Sequence, residues 1–90
     1  MKRIQGIVSG KVQGVGFRNF TQQTAAEENM KGWVRNLPDG TVEFEAEGDE
    51  KAVETFVKRL KKGQFPAKVE AIVTNNIQVL NEEKDFRVRP

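Results

Sequence analysis

"GWVRNLPDGTVEFEAEG", Gly32 to Gly48, holds two extended runs joined by a tight turn. In Leu37-Pro38-Asp39-Gly40, proline presets φ, aspartate tolerates the next position and glycine accepts positive φ. After the turn, Val42, Phe44 and Ala46 alternate with Glu43, Glu45 and Glu47. That period of two predicts a strand with one buried and one wet face. Before the turn, "KGWVRN" (31–36) reads as the partner strand, so residues 32–47 are predicted to form a β-hairpin.

The flanks of the hairpin decide the architecture. On its N-terminal side, Phe17 to Asn29 favours helix, with Ala25 and Ala26 at the centre and Asn29 suited to a left-handed C-terminal position. The apolar stripe of this helix (Phe17, Phe20 or Thr21, Thr24, Ala25) is weak, so packing has to hold it. On the C-terminal side, Asp49 is a candidate N-cap for a second helix. There Ala52, Val53, Phe56, Val57 and Leu60 share one face, and Lys51, Glu54, Lys58, Arg59 and Lys62 the other. "KKGQFPAK" ends that helix with glycine and proline. Ile4, Gly6 and Val8 alternate with Arg3, Gln5 and Ile7 in a first strand. "VEAIVTNN" (69–76) is a fourth strand, and "DFRVR" (85–89) a short closing one with Phe86 and Val88 on the same side.

The order is therefore β-α-β-β-α-β with a short terminal strand, the ferredoxin-like split βαβ arrangement. It predicts an α+β sandwich in which two helices cover one face of an antiparallel or mixed sheet. With 90 residues the chain suits one domain spanning 1–90 and one core. Apolar residues at 37% and charged residues at 31% give an ordinary globular composition. No apolar run approaches the length of a membrane span, and "MKRIQGIVSG" lacks the apolar core of a signal peptide; the expected location is the cytoplasm. Cysteine, histidine and tyrosine are absent. The usual neutral-pH general base, the thiolate nucleophile and the commonest metal ligand are thus missing. A net charge of +2 does not argue for nucleic acid.

One stretch remains without a packing role. "GKVQGVGFRNF" (10–20) connects the first strand to the first helix with three glycines and Arg18. Glycines let backbone N–H groups approach a ligand, and the helix N-terminus favours negative charge. Arg18 adds a planar, permanently charged fork matched to phosphate oxygens. The implied chemistry is oxyanion binding; the alternative is a tight turn with no ligand. The stretch lacks the G-x-x-x-x-G-K-[ST] run of a P-loop. Asn19 stands where a dinucleotide fingerprint needs its third glycine. "GVGFRNF" partly matches an RNA-recognition strand, but here the aromatics lead into a helix rather than facing out from a central strand.

Taken together, "GKVQGVGFR" and "GWVRNLPDGTVEFEAEG" resemble the two signature patterns of the acylphosphatase family. The resemblance implies hydrolysis of acyl phosphates, carboxylic–phosphoric mixed anhydrides, to a carboxylate and inorganic phosphate. It implies a backbone phosphate cradle at Gly10, Lys11, Val12, Gln13, Gly14 and Val15. Arg18 is implied to grip the phosphate and Asn36 to hold the attacking water. No metal or organic cofactor, nucleic acid or membrane partner is implied, and a monomer is expected. A non-catalytic anion-binding module with the same cradle is the rival reading. Glu28 and Asn29 depart from the family pattern at the far end of the first helix, away from the chemistry. Trp33 reads as a core or cradle-wall residue, Lys58, Arg59, Lys61 and Lys62 as a solvated helix end, and Arg87 and Arg89 as exposed.

Overall fold

The computed structural model describes all 90 residues. Strand β1 runs Lys2–Lys11, helix α1 Phe17–Glu27, β2 Lys31–Asn36, β3 Val42–Gly48, α2 Glu50–Lys62, β4 Lys68–Ile77 and β5 Phe86–Val88. The strands form one sheet in the order β4-β1-β3-β2-β5. Every pairing is antiparallel except that of β2 with β5, which is parallel and makes the sheet mixed.

The alternating residues of the hairpin do what their period requires. Val42, Phe44 and Ala46 are fully buried, together with Val34 of β2 and Ile4 and Val8 of β1. Phe17 and Ala25 of α1 and Val53, Phe56 and Leu60 of α2 meet them in a single cluster. Phe44 and Phe56 pack edge to face, with centroids 5.4 Å apart. Gly6 lies opposite Phe44, and a Cβ on it would come within 2.4 Å of the ring. The missing side chain of β1 is the space the aromatic ring of β3 occupies.

The weak stripe of α1 is explained by two threonines. Thr21 and Thr24 are buried, and each hydroxyl donates to the carbonyl four residues earlier, of Phe17 and Phe20. Their methyl groups can then face the core without leaving a polar atom unpaired. Asn29 takes the expected left-handed conformation at φ 57°. Asp49 occupies the N-cap position of α2, yet its side chain makes no capping bond.

Two expectations about the outer surface need correction. The face of β3 carrying Glu43, Glu45 and Glu47 is not uniformly wet: Glu47 is 3% exposed and its neighbour Arg3 only 1%. The segment between β4 and β5 crosses that face, and Glu47 accepts the backbone N–H groups of Leu80 and Asn81. The basic end of α2 is not wholly solvated either. Arg59 pairs with Glu27 at 2.6 Å and Glu28 at 3.1 Å, which gives Glu28 a partner between the helices.

Candidate active site

The loop from Val12 to Gly16 leaves β1 and enters α1. Val12 is buried and anchors it in the core, while Val15 packs against the core's edge. Gly14 and Gly16 have φ of 71° and 78°, and a Cβ on either would meet nothing within 4 Å. Backbone angle, not crowding, is what calls for glycine there. The first hydrogen bond of the helix runs from the Phe20 N–H to the Gly16 carbonyl. From Val12 through Asn19, no backbone N–H donates to another group of the protein. Eight consecutive residues thus offer donors beside the positive end of α1.

Six of these eight residues border a cavity of about 130 Å³. Val12, Gly14, Gly16 and Phe17 form one wall, Arg18 and Asn19 continue it, and Asn36 and Val88 close the other side. The space is well below the roughly 300–1,000 Å³ of a site for a drug-sized ligand, so it suits a small group. Arg18 and Asn36, 18 positions apart in sequence, share this one space.

Each of the two side chains is set by the fold. The Arg18 guanidinium donates from Nη1 to the Arg89 carbonyl at 2.8 Å. That carbonyl follows β5, and the Arg89 N–H donates in turn to the Val34 carbonyl of β2 at 2.8 Å. One of five guanidinium N–H groups is used in this way, leaving others for a guest. Asn36 ends β2 opposite Val42. Its Oδ1 is buried without a hydrogen-bond partner, the one such side-chain atom in the protein. An unpaired buried acceptor costs about 1–3 kcal/mol.

The implied cradle residues fall into three groups. Val12 and Gly14 line the cavity. Gly10 and Lys11 belong to β1 and pair with Val69 and Lys68 of β4, outside the cavity. At Gly10 the register shifts, φ is 125°, and a Cβ would sit 2.2 Å from the Lys68 carbonyl, so this glycine serves the sheet. Gln13 and Val15 alternate with the lining residues and point elsewhere: Val15 to the core, Gln13 to the carbonyls of Leu37 and Thr41. The bonds of Gln13 and the role of the Arg89 carbonyl were not legible in the sequence, since both depend on main-chain carbonyls, which carry no residue-type signal.

A second, larger hollow of about 470 Å³ lies on the opposite sheet face, beside Trp33, the Glu82–Asp85 turn, Arg87 and Arg89. Trp33 is buried, at 8% exposure, as a core residue would be, but it stands apart from the main apolar cluster and does not line the smaller cavity. Arg89 stacks over its ring at 4.4 Å and Arg35 lies at 5.2 Å. Below it, Arg3 contacts Glu45 at 2.8 Å, Glu47 at 3.2 Å and Glu83 at 2.6 Å. Burial alone would lower the Arg3 pKa, but the hydrogen bonds to Glu83, Glu45 and Glu47 outweigh it and raise it. Burial likewise pushes Glu47 up, but the N–H groups of Leu80 and Asn81, with Arg3, hold its carboxyl below the ordinary value. No group of three His, Cys, Asp or Glu converges where a metal ion could sit, and no helix is long and apolar enough to cross a membrane.

Known proteins match this arrangement over almost its whole length. The family model for acylphosphatase matches residues 4–88. An acylphosphatase of Geobacillus thermodenitrificans is 47% identical over 88 residues, covering 98% of this chain and 94% of its own. The crystal structure of the acylphosphatase from Bacillus subtilis superposes with a TM-score of 0.95 at 40% identity, covering 100% of both chains. An acylphosphatase structure from Coxiella burnetii gives a TM-score of 0.91 at 39% identity, over 98% of this chain and 92% of that one.

Proposed function

This chain belongs to the acylphosphatase family, hydrolases of acyl phosphates, and on that premise we propose how its own residues carry the reaction. The phosphoryl group of the substrate sits in the small cavity, held by the N–H groups between Val12 and Asn19 and by Arg18. Asn36 accepts a hydrogen bond from a water and aligns it with phosphorus. The water oxygen bonds to phosphorus as the bond from phosphorus to the acyl oxygen breaks. The carboxylate leaves with that electron pair, and the proton of the water passes to a phosphate oxygen.

The chemistry asks little that this chain lacks. The conjugate acid of the leaving group has a pKa near the carboxyl reference of about 4, so it departs without protonation. Phosphoryl transfer through a loose transition state needs positioning and charge stabilisation more than a strong base. Backbone donors and Arg18 supply both, which accords with a sequence without histidine.

The observation that carries this reading is that residues with unpaired N–H groups, Arg18 and Asn36 all line one cavity, and that the Oδ1 of Asn36 is left without a partner in the protein. A module that only binds an anion has use for the first two and none for the third. We further read residues 1–90 as one catalytic domain acting as a cytoplasmic monomer without a metal; sedimentation tests the monomer.

The experiment is phosphate release from a simple aromatic acyl phosphate with a chelator present. Turnover inhibited competitively by inorganic phosphate is expected. Phosphate binding with no turnover would return the chain to the class of binding modules.

A further inference from the structure

The cavity has two walls, the loop after β1 and the end of β2, and one side chain spans them. Gln13 lies between Val12 and Gly14, both of which line the cavity. Its Nε2 donates to the Leu37 carbonyl and to the Thr41 carbonyl, each at 2.8 Å. Those two carbonyls flank the turn Pro38–Gly40, and the Leu37 N–H also donates to the Thr41 carbonyl at 2.9 Å. Leu37 directly follows Asn36. Among residues 12–16, Gln13 is the one with a polar side chain. It is therefore the only side chain of the loop able to form a directional tie to the opposite wall.

We propose that Gln13 is a positioning residue: its carboxamide sets the separation between the phosphate-holding N–H groups and the Asn36 side chain, and so the alignment of water with phosphorus. This inference rests on the water-placing role of Asn36 proposed above. The phosphate side of the site does not depend on Gln13. Val12 anchors the loop in the core, and the Arg89 carbonyl holds Arg18. Loss of the Gln13 bonds removes the tie between the loop and the strand end that carries Asn36, which stays paired within the hairpin, while the anion donors keep these other anchors. Small displacements of a reacting group are costly, about a hundredfold for 1 Å.

The test is a double-mutant cycle with acyl phosphate turnover and phosphate inhibition read together. Gln13→Met keeps the length of the side chain and removes both donors. We expect it to lower kcat at least about tenfold, with the inhibition constant of inorganic phosphate changed less than about threefold. In an Asn36→Ala background the same change should cost almost nothing further, because there is no water-aligning group left to misplace. Gln13→Asn, which keeps the amide but falls short of the two carbonyls, should repeat the pattern and serves if Gln13→Met does not fold.

An undiminished kcat, a loss of phosphate affinity in step with kcat, or an equal loss in the Asn36→Ala background would each overturn the proposal. If Asn36→Ala alone retains kcat, the reading of Asn36 falls and takes this inference with it. If Asn36→Ala loses kcat while Gln13→Met does not, only the role of Gln13 is refuted.

Discussion

Two polar regions of this small protein treat their polar groups in opposite ways. On the outer face of the sheet, Arg3 meets three carboxylates and Glu47 takes two backbone N–H groups besides. At the mouth of α1, the N–H groups from Val12 to Asn19 and the Oδ1 of Asn36 have no partner in the protein. Both regions contain an arginine held by the fold. The first is electrostatically closed and can only stabilise; the second is open and asks for a guest. Unsatisfied hydrogen-bonding capacity, rather than buried charge, distinguishes the candidate active site here.

The contrast gives predictions in order of size. Arg3→Ala leaves Glu45, Glu47 and Glu83 facing one another without a cation and should cost about 3–5 kcal/mol of stability. Denaturant unfolding measures this, and kcat of the folded fraction should be unchanged. Arg18→Ala should do the reverse. Turnover falls at least about a hundredfold, the scale of losing an oxyanion donor, while the unfolding midpoint hardly moves. If both variants lost stability and activity alike, the division between a closed and an open region would be lost.

A smaller effect tests the core that lies between them. Gly6→Ala places a methyl group against the Phe44 ring and should destabilise by about 1–3 kcal/mol through overpacking. Thermal unfolding reports it. The smallest concerns pH. The Glu47 carboxyl lies below its ordinary value in the folded protein, so its contribution is complete above the unfolded value and is lost as pH falls through the folded one. Glu47→Gln should therefore give a shallower acid limb in a stability profile taken between pH 3 and 7. An unaltered limb would mean that other carboxyls carry the acid unfolding.

Patterns of local period were legible in the sequence because each residue declared its own face. Val42, Phe44 and Ala46 marked the buried side of β3, and Val53, Phe56 and Leu60 that of α2. Arg18 and Asn36 could be named because two motifs carried them, and they do border one cavity. What was not legible depends on contacts between distant segments. The burial of Arg3 and Glu47 requires the residue 78–85 segment to cross the sheet, and no periodicity announces such a crossing. The placement of Gly10 and Lys11 in β1 depends on how far β4 extends, which a glycine beside a loop obscures. Gln13 entered the sequence reading only as a cradle residue, and the partners of its side chain were hidden because they are main-chain carbonyls whose position only the hairpin fixes.

The sheet order has a kinetic consequence. Strand β1 lies between β3 and β4, and β2 waits for β5, so neither strand completes its hydrogen bonding with sequence neighbours alone. Pairings of such long reach must meet their loop-closure entropy before they gain stability, and proteins built on them fold in about milliseconds to seconds. On a ribosome, β1 is enclosed on both sides only after β4 has been made.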